Sequence, residues 1–316
     1  MSVLESYKDL KILVTGGSGQ IGSCLKKINK EYKFNFYFPN SDELNLKKID
    51  TIINFLDNNK VNLIINLAAY TDVDKAETEK EESNLINHIG PMLIAKESSK
   101  RQIPLIHFST DYVFGGDDIG PFSSSNKKTP INQYGRSKSL GEDSVLMENK
   151  GSLIIRVASV FGHFGNNFVK KMTKLLLMKD KIEVVSDNKI SMFYANDFSN
   201  NILQIIDLIH KNKSTIDFSG NIIHMVSPGY TNWYEVSKII RHEIINYDGS
   251  LKVARILPIN SNEWKSNAER PIDSRLELND NFIMKYGIKL SPWESSVREV
   301  VNSCLPYFID EIKNDK

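Results

Sequence analysis

Thr15-Gly16-Gly17-Ser18-Gly19-Gln20-Ile21-Gly22 follows the apolar run Lys11–Thr15 and opens Gln20–Lys30, a segment that reads as a helix. Glycines permit a tight turn and let backbone N–H groups approach a diphosphate, and a helix N-terminus adds partial positive charge. A glycine triplet alone says little. Here a strand precedes it, a helix follows, and a second strand comes after, which is the setting a dinucleotide-binding turn requires. The second strand ends in Phe38-Pro39-Asn40-Ser41. An acid there would read a ribose 2′-hydroxyl; Asn40 and Ser41 do not repel a 2′-phosphate, and no Arg is adjacent to hold one. NADH versus NADPH stays open at this point, with a lean to NADPH.

Working outward, β-rich runs alternate with helical stretches through the first half. The strands are Lys11–Thr15, Phe34–Phe38, Asn62–Asn66, Leu105–Ser109 and Ser152–Arg156; the helices between them are Gln20–Lys30, Lys47–Asn58, Glu82–Lys100 and Tyr134–Met147. Several strands are nearly all apolar, as strands buried on both faces are. The alternation predicts an α/β fold, a doubly wound parallel (Rossmann) sheet with helices on both faces. After Arg156 the order loosens. Asn167–Leu177, Ala195–His210, Trp233–Ile244 and Glu294–Ile312 read as helices, and Lys181–Val185 and Ile222–Val226 as strands. A loop-rich stretch holds Pro258, Pro271 and Pro292. We expect a dinucleotide-binding domain over 8–160 with a returning segment at about 194–226, and a smaller α/β substrate domain over 161–193 and 227–316.

The bulk numbers agree with that reading. A chain of 316 residues suits one large domain with a smaller companion. Apolar residues at 41% and charged residues at 25% are ordinary for a globular protein. A formal net charge of +1 offers no bulk field for nucleic acid or an anionic membrane. The polar stretch Met1–Leu10 lacks the apolar core of a signal peptide, and no apolar run approaches the roughly 20 residues that span a bilayer. The two cysteines, Cys24 and Cys304, form no metal-ligand or disulfide framework, which fits a reducing cytoplasm.

Tyr134-Gly135-Arg136-Ser137-Lys138 places a phenol and an ammonium four residues apart, on one helix face. Upstream, Ser109-Thr110-Asp111 leaves the end of the Leu105–Phe108 run, the end of an open α/β sheet where ligands sit. A phenol with a pKa near 10 is a poor acid–base catalyst at neutral pH; a neighbouring ammonium favours its ionised form and lowers that pKa. A hydroxyl from Thr110 or Ser109 would hold a substrate carbonyl. A Tyr/Lys pair is common on surface helices. Behind a glycine loop and beside a hydroxyl cluster at a strand end, it reads as a catalytic set.

These residues carry a specific resemblance. The chain resembles the extended short-chain dehydrogenases/reductases, and within them the dTDP-4-dehydrorhamnose reductases, over nearly its whole length. Asn66-Leu67-Ala68-Ala69-Tyr70-Thr71-Asp72-Val73-Asp74-Lys75-Ala76-Glu77 is similar to that family's NAAAYTAVDKAE, and Ser109 to Phe114 matches its STDYVF. Asn132 to Lys138 resembles NVYGxSK, Gly165 to Val169 matches GNNFV, and Arg270-Pro271 with Ser274-Arg275-Leu276 resembles RRPxxSxL. The resemblance implies Tyr134 as proton donor to a ketone and Lys138 as the residue that tunes it and holds the nicotinamide ribose. It implies Thr110 on the carbonyl and Asp111 on the sugar. Gly19, Gln20 and Ile21, with Gly16 in the same turn, would meet the pyrophosphate. Asn45 and Leu46 would lie near the adenine, and Ala68, Ala69 and Tyr70 along the cofactor. Asn167 and Arg270 would face the phosphates of a nucleotide sugar, a role that suits the bidentate fork of an Arg.

The implied activity is NADPH- or NADH-dependent reduction of the 4-keto group of a nucleotide-linked deoxysugar, for surface polysaccharide. Two alternatives stay open: a sugar-nucleotide epimerase or epimerase-reductase, and a non-catalytic dinucleotide-binding regulatory subunit. Family analogy allows a homodimer, though no interface is legible in the sequence. The departures cluster. The family's RTSWVYG reads Arg156-Val157-Ala158-Ser159-Val160-Phe161-Gly162, with Ser159 in place of a sugar-facing Trp, and its DQxGSPT becomes Asp187 to Phe193. We therefore expect retained hydride chemistry with a changed sugar preference. Cys24 stands where the family has a magnesium-binding carboxylate, so no metal is predicted.

Overall fold

The computed structural model describes residues 10–32, 35–211, 222–278, 283 and 286–314. The expected polar start before Leu10, Phe34, the domain limits at 8 and 316, and residues 212–221 of the returning segment lie outside them. Six parallel strands form the main sheet: β1 (Lys11–Thr15), β2 (Asn35–Tyr37), β3 (Leu63–Asn66), β4 (Leu105–Thr110), β5 (Leu153–Val157) and β9 (Ile222–His224). Their spatial order is β2-β1-β3-β4-β5-β9. The alternating side chains of each strand divide between two cores. Ile12 and Val14 of β1 join Ile106 and Phe108 of β4 on one face, with Leu25 from α1 (Gln20–Tyr32). Leu13, Ile64 and Leu105 face the other way, toward Leu56 of α2 (Ile49–Asn59) and Ile94 of α5 (Gly90–Lys100). This two-sided covering is why these strands are apolar throughout.

The order switches between β1 and β3. The glycine loop leaves the end of β1 and Leu67-Ala68-Ala69 the end of β3, so a crevice opens at that point. Beyond β5, α8 (Ala195–Asn200) and α9 (Ile202–Lys211) precede β9 at the sheet edge, and Phe198, Ile202, Ile205 and Met225 are buried in the main core. A second core lies outside the sheet. It joins α7 (Phe168–Met178), β7 (Lys181–Val185), α10 (Trp233–Tyr247) and α11 (Trp293–Asn314) through Leu176, Val184, Ile240 and Val297. Among the described residues, no helix is long and apolar enough to cross a membrane.

Three expectations are corrected. The helix expected over Glu82–Lys100 is interrupted: α4 (Lys80–Asn84) passes into a π-helical turn at Leu85–Ile89 before α5 begins. Asn87 in that turn explains it, because its side chain accepts from the Tyr70 amide (2.9 Å) and donates to the Tyr70 carbonyl (3.0 Å) and to Ser137 Oγ (3.0 Å). The helix expected over Ala195–His210 breaks at Asn201, whose side chain donates to the Asp197 and Lys289 carbonyls and accepts from the Lys289 amide. The Pro258 stretch is not all loop. Arg255–Ile259 is a strand, β10, paired parallel with β7, with Pro258 opposite Val184. In a two-stranded ribbon each strand has an outer edge that tolerates proline. Two short strands, β6 (Val160–Phe161) and β8 (Phe193–Tyr194), were not expected; they pair in parallel below the crevice.

Candidate active site

A cleft of about 1050 Å³ runs from the glycine loop to the helix that carries Tyr134 and Lys138. Gly16, Gly19, Gln20 and Ile21 line it, as do Asn40, Asn45, Leu46, Ala68, Ala69, Tyr134 and Lys138. The loop has room only for glycine where it is tightest. Gly16 has φ +67°, and a Cβ there would stand 2.6 Å from the Ala68 amide nitrogen. A Cβ on Gly22 would stand 2.6 Å from the Gly16 carbonyl oxygen. The chain therefore passes close beside its neighbours and leaves its amides at the cleft wall, as a diphosphate cradle requires.

At the end of β4, Thr110 caps a short turn by accepting from the Tyr112 amide (3.2 Å) and donates to Asp111 Oδ1 (3.0 Å). On α6 (Gln133–Glu148), Tyr134 projects toward this strand end, and the Thr110 side chain beside it favours the ionised phenol. The Tyr112 ring packs edge-on against Tyr134, with centroids 5.6 Å apart. Lys138, one turn on, is buried and donates from Nζ to the Phe108 carbonyl at 2.6 Å. Burial lowers its pKa to about 8 against the opposing pull of Glu142. Burial also raises the Tyr134 phenol above its ordinary value. That reverses the expected direction for the phenol: in the protein as it stands, desolvation outweighs any help from Lys138, whose ammonium is turned to a backbone carbonyl. A phenol held protonated is a donor, not a base. Asp111 is likewise pushed up, to about 6, by burial, despite hydrogen bonds with Ser274 and Thr110.

Three expected site residues stand differently. Tyr70 turns its hydroxyl outward to Glu79 Oε2 (2.8 Å) and does not line the cleft. Asn167 caps α7 with its oxygen and donates from Nδ2 to Gln20 Oε1 (3.1 Å) and the Gly162 carbonyl (2.9 Å); its neighbours Gly165 and Asn166 are the cleft-lining members of that motif. Arg270 donates to Asp74 Oδ2 at 2.6 Å and lies over the Tyr112 ring at 5.9 Å, which puts it beside the Thr110–Tyr134 cluster. Burial alone would raise Asp74, but hydrogen bonds from Ser266 and the Ala268 amide, with the charge of Arg270, hold it below the usual carboxylate range.

Two buried networks had been given no role. Thr15 Oγ1 donates to Asn66 Oδ1 (2.6 Å), and Asn66 Nδ2 reaches His107 Nδ1 (2.9 Å), tying β1, β3 and β4 together below the cleft floor. Because an amide nitrogen only donates, His107 carries its proton on Nε2; burial and the charge of Lys138 keep the ring neutral. Behind Lys138, Glu142 accepts two bonds from Arg156, both 2.8 Å, and both side chains are essentially inaccessible. The motif strings contained Asn66 and Arg156, but only the parallel register brings them to partners far along the chain.

A parallel sheet with a glycine loop at its switch point, and a Tyr–Lys helix packed against the next strand end, defines an extended short-chain dehydrogenase/reductase. Within that class the chain belongs to the family described as RmlD substrate binding domain, which matches residues 10–305. It is 30% identical over 291 residues to a dTDP-4-dehydrorhamnose reductase of Aggregatibacter actinomycetemcomitans, covering 92% of this chain and 98% of that one. It is 31% identical to the spore coat polysaccharide biosynthesis protein SpsK of Bacillus subtilis, over 92% of this chain and 96% of that one. Among solved structures, the dTDP-4-dehydrorhamnose reductase of Bacillus anthracis in complex with NADP is similar with a TM-score of 0.78 and 30% identity, covering 93% of this chain and 98% of that one.

Proposed function

We propose that this protein reduces the 4-keto group of a nucleotide-linked deoxysugar with NADPH or NADH, in the supply of activated sugar for a surface polysaccharide. The observation that carries this is Tyr134 set beside Thr110 at the end of β4, with buried Lys138 a turn away, and with Tyr134 and Lys138 lining the glycine-loop cleft. Relatives of nearly equal length named dTDP-4-dehydrorhamnose reductase support the substrate class.

The glycine loop and the start of α1 would hold the diphosphate of the dinucleotide, with Asn45 and Leu46 near one end and Ala68 and Ala69 along its length. When bound, the nicotinamide supplies hydride to the ketone carbon. Thr110, turning its hydroxyl proton from Asp111 Oδ1 to the substrate, would hold the ketone oxygen. Tyr134 donates its proton to that oxygen, completing the alcohol, and the Lys138 ammonium steadies the phenolate left behind. Arg270, fixed by Asp74 and lying over the Tyr112 ring, offers a guanidinium beside this cluster for a sugar-nucleotide phosphate. Lys138 also has donors enough for the nicotinamide ribose.

The test is NADPH and NADH oxidation, followed by the loss of reduced-nicotinamide absorbance, with a panel of dTDP-, UDP-, GDP- and CDP-linked 4-keto sugars. Turnover with at least one of them supports the reading. Tight dinucleotide binding with no turnover on any of them would favour the regulatory alternative instead.

A further inference from the structure

The glycine-loop end of the cleft carries a cation that belongs to none of the sequence motifs. Four charged side chains line the cleft among the described residues: Lys26, Lys47, Glu82 and Lys138. Lys138 is buried at the catalytic end, and Lys47 is paired with Glu82 at 2.7 Å. Lys26, on α1, makes no ion pair among the described residues; its ammonium lies 5.4 Å from the centre of the Phe38 ring. Its stem runs over the junction between the glycine loop and the end of β2. A Cβ on Gly17 would come within 2.8 Å of Phe38 Cδ1 and 3.2 Å of Lys26 Cε. Phe38, Pro39, Asn40 and Ser41 line the same part of the cleft.

In this fold class the end of the second strand is where the adenosine ribose is read. Here it presents neutral polar groups. The Asn40 side-chain oxygen is occupied by the amides of Asp42 and Glu43, which turns the loop and leaves the Asn40 Nδ2 donors available. Two carboxylates follow in that loop, but Glu43 is bound to the Asn40 amide (2.9 Å), and neither Asp42 nor Glu43 lines the cleft. A 2′-phosphate would therefore meet one unpaired ammonium, the Asn40 amide and the Ser41 hydroxyl, with no acid in the cleft wall beside it.

We propose that Lys26, with Asn40 and Ser41, forms a phosphomonoester subsite at the adenosine end of the cleft and makes the enzyme prefer NADPH over NADH. The charge comes from the helix after the glycine loop rather than from the strand end. This rests on the dinucleotide reading of the cleft. Lys26→Met keeps the apolar stem over Gly17 and Phe38 and removes only the charge; Lys26→Arg keeps the charge. Dissociation constants for NADPH, NADH, adenosine 2′,5′-bisphosphate and 5′-AMP would be measured by calorimetry on the full chain. Losing a charge-assisted contact to phosphate corresponds to about tenfold to a hundredfold in affinity. The expected result is a loss of about that size for NADPH and adenosine 2′,5′-bisphosphate in Lys26→Met, with NADH and 5′-AMP within about twofold and Lys26→Arg near the parent. Added salt should weaken NADPH more in the parent than in Lys26→Met. Equal losses for phosphorylated and unphosphorylated ligands, or no loss for either, overturn the subsite. A parent that binds NADH and 5′-AMP without favouring their 2′-phosphorylated forms also overturns it, and leaves the dinucleotide cleft standing. A parent that binds none of the four overturns both.

Discussion

Tyr134 and Lys138 are one turn apart on α6, and burial shifts their pKa values in opposite directions, favouring the neutral form of each. Burial keeps the phenol protonated, while it brings the lysine to a pKa of about 8. In the proposed reduction this pairing is useful: a protonated phenol would hold its proton until the ketone oxygen needs it. Tyr134→Phe should lower kcat by at least about 100-fold, the scale of a positioned general acid, and leave the NADPH dissociation constant nearly unchanged. Wild-type turnover in the Phe variant would remove Tyr134 from the role. The lysine gives a pH signature of definite sign. Its depressed pKa means the ammonium is present below about 8 and lost as pH rises through it. The kcat/KM profile, which reports the free enzyme, should therefore fall on its alkaline side near that pH. In Lys138→Arg the fall should disappear from the range below about 10, since a guanidinium holds its proton there. An unchanged alkaline limb in that variant would assign it to another group. The residue types at these two positions were legible as a motif; the direction of the phenol's shift was not, because it depends on how much protein surrounds the ring.

α6 carries more than the Tyr134–Lys138 pair. One turn beyond Lys138, Glu142 pins the helix to β5 through two bonds to Arg156, with Lys128 at 3.3 Å and His224 at 3.4 Å completing the cluster. Arg156 also lies over the Phe114 ring at 4.9 Å. Burial pulls Glu142 upward, but Arg156 and Lys128 hold it below the usual carboxylate range. Breaking such a pair leaves an uncompensated buried charge, so Glu142→Gln should cost about 3–5 kcal/mol of stability, read by urea unfolding. The Glu142→Gln/Arg156→Met double variant should recover much of that loss, since neither charge is then stranded. Equal losses in the single and double variants would mean that packing, not charge, is what this contact provides. Glu142 also supports the charged form of Lys138. Its neutralisation should thus move the alkaline limb of kcat/KM below that of the parent, a readout that a purely structural contact leaves in place. The strand and helix pattern was readable because apolar runs and 3.6-residue periods are local. The breaks at Asn87 and Asn201 were not, because each is caused by a side chain bonding to backbone that lies elsewhere in the sequence.

Across the whole molecule, most of the cleft is lined by the first half of the chain, and Val160, Gly165 and Asn166 close it from beyond β5. Ser159, at the junction, adopts φ +40°, an unusual left-handed conformation for a residue with a side chain. Phe161 and Phe193 flank the changed segments, but both are inaccessible: Phe161 stacks on Tyr194, and Phe193 packs into the main core. Ile190 and Met192 are also buried in the second core. Neither of the two phenylalanines is therefore placed to replace the lost Trp face. Removing such a face changes binding by about 1–3 kcal/mol, roughly tenfold to hundredfold in specificity. In a kcat/KM comparison across nucleotide-linked 4-keto sugars, dTDP-4-dehydrorhamnose should not lead every other substrate by more than about tenfold. A larger lead would show that the altered segments leave the sugar pocket as it is in the named relatives.

Residue identity alone determined the parallel α/β fold, the glycine turn, and the placing of Tyr134 and Lys138 on one helix face, because each is written in short-range spacing. Tertiary structure alone decided which polar groups are engaged with one another. Arg270 is held by Asp74, Asn167 by Gln20 and Gly162, and His107 by Asn66; the Lys26 stem crosses from α1 to the end of β2. The physical reason is that a hydrogen bond or ion pair depends on separation in space, and parallel strands with long crossovers place side by side residues that the sequence holds far apart.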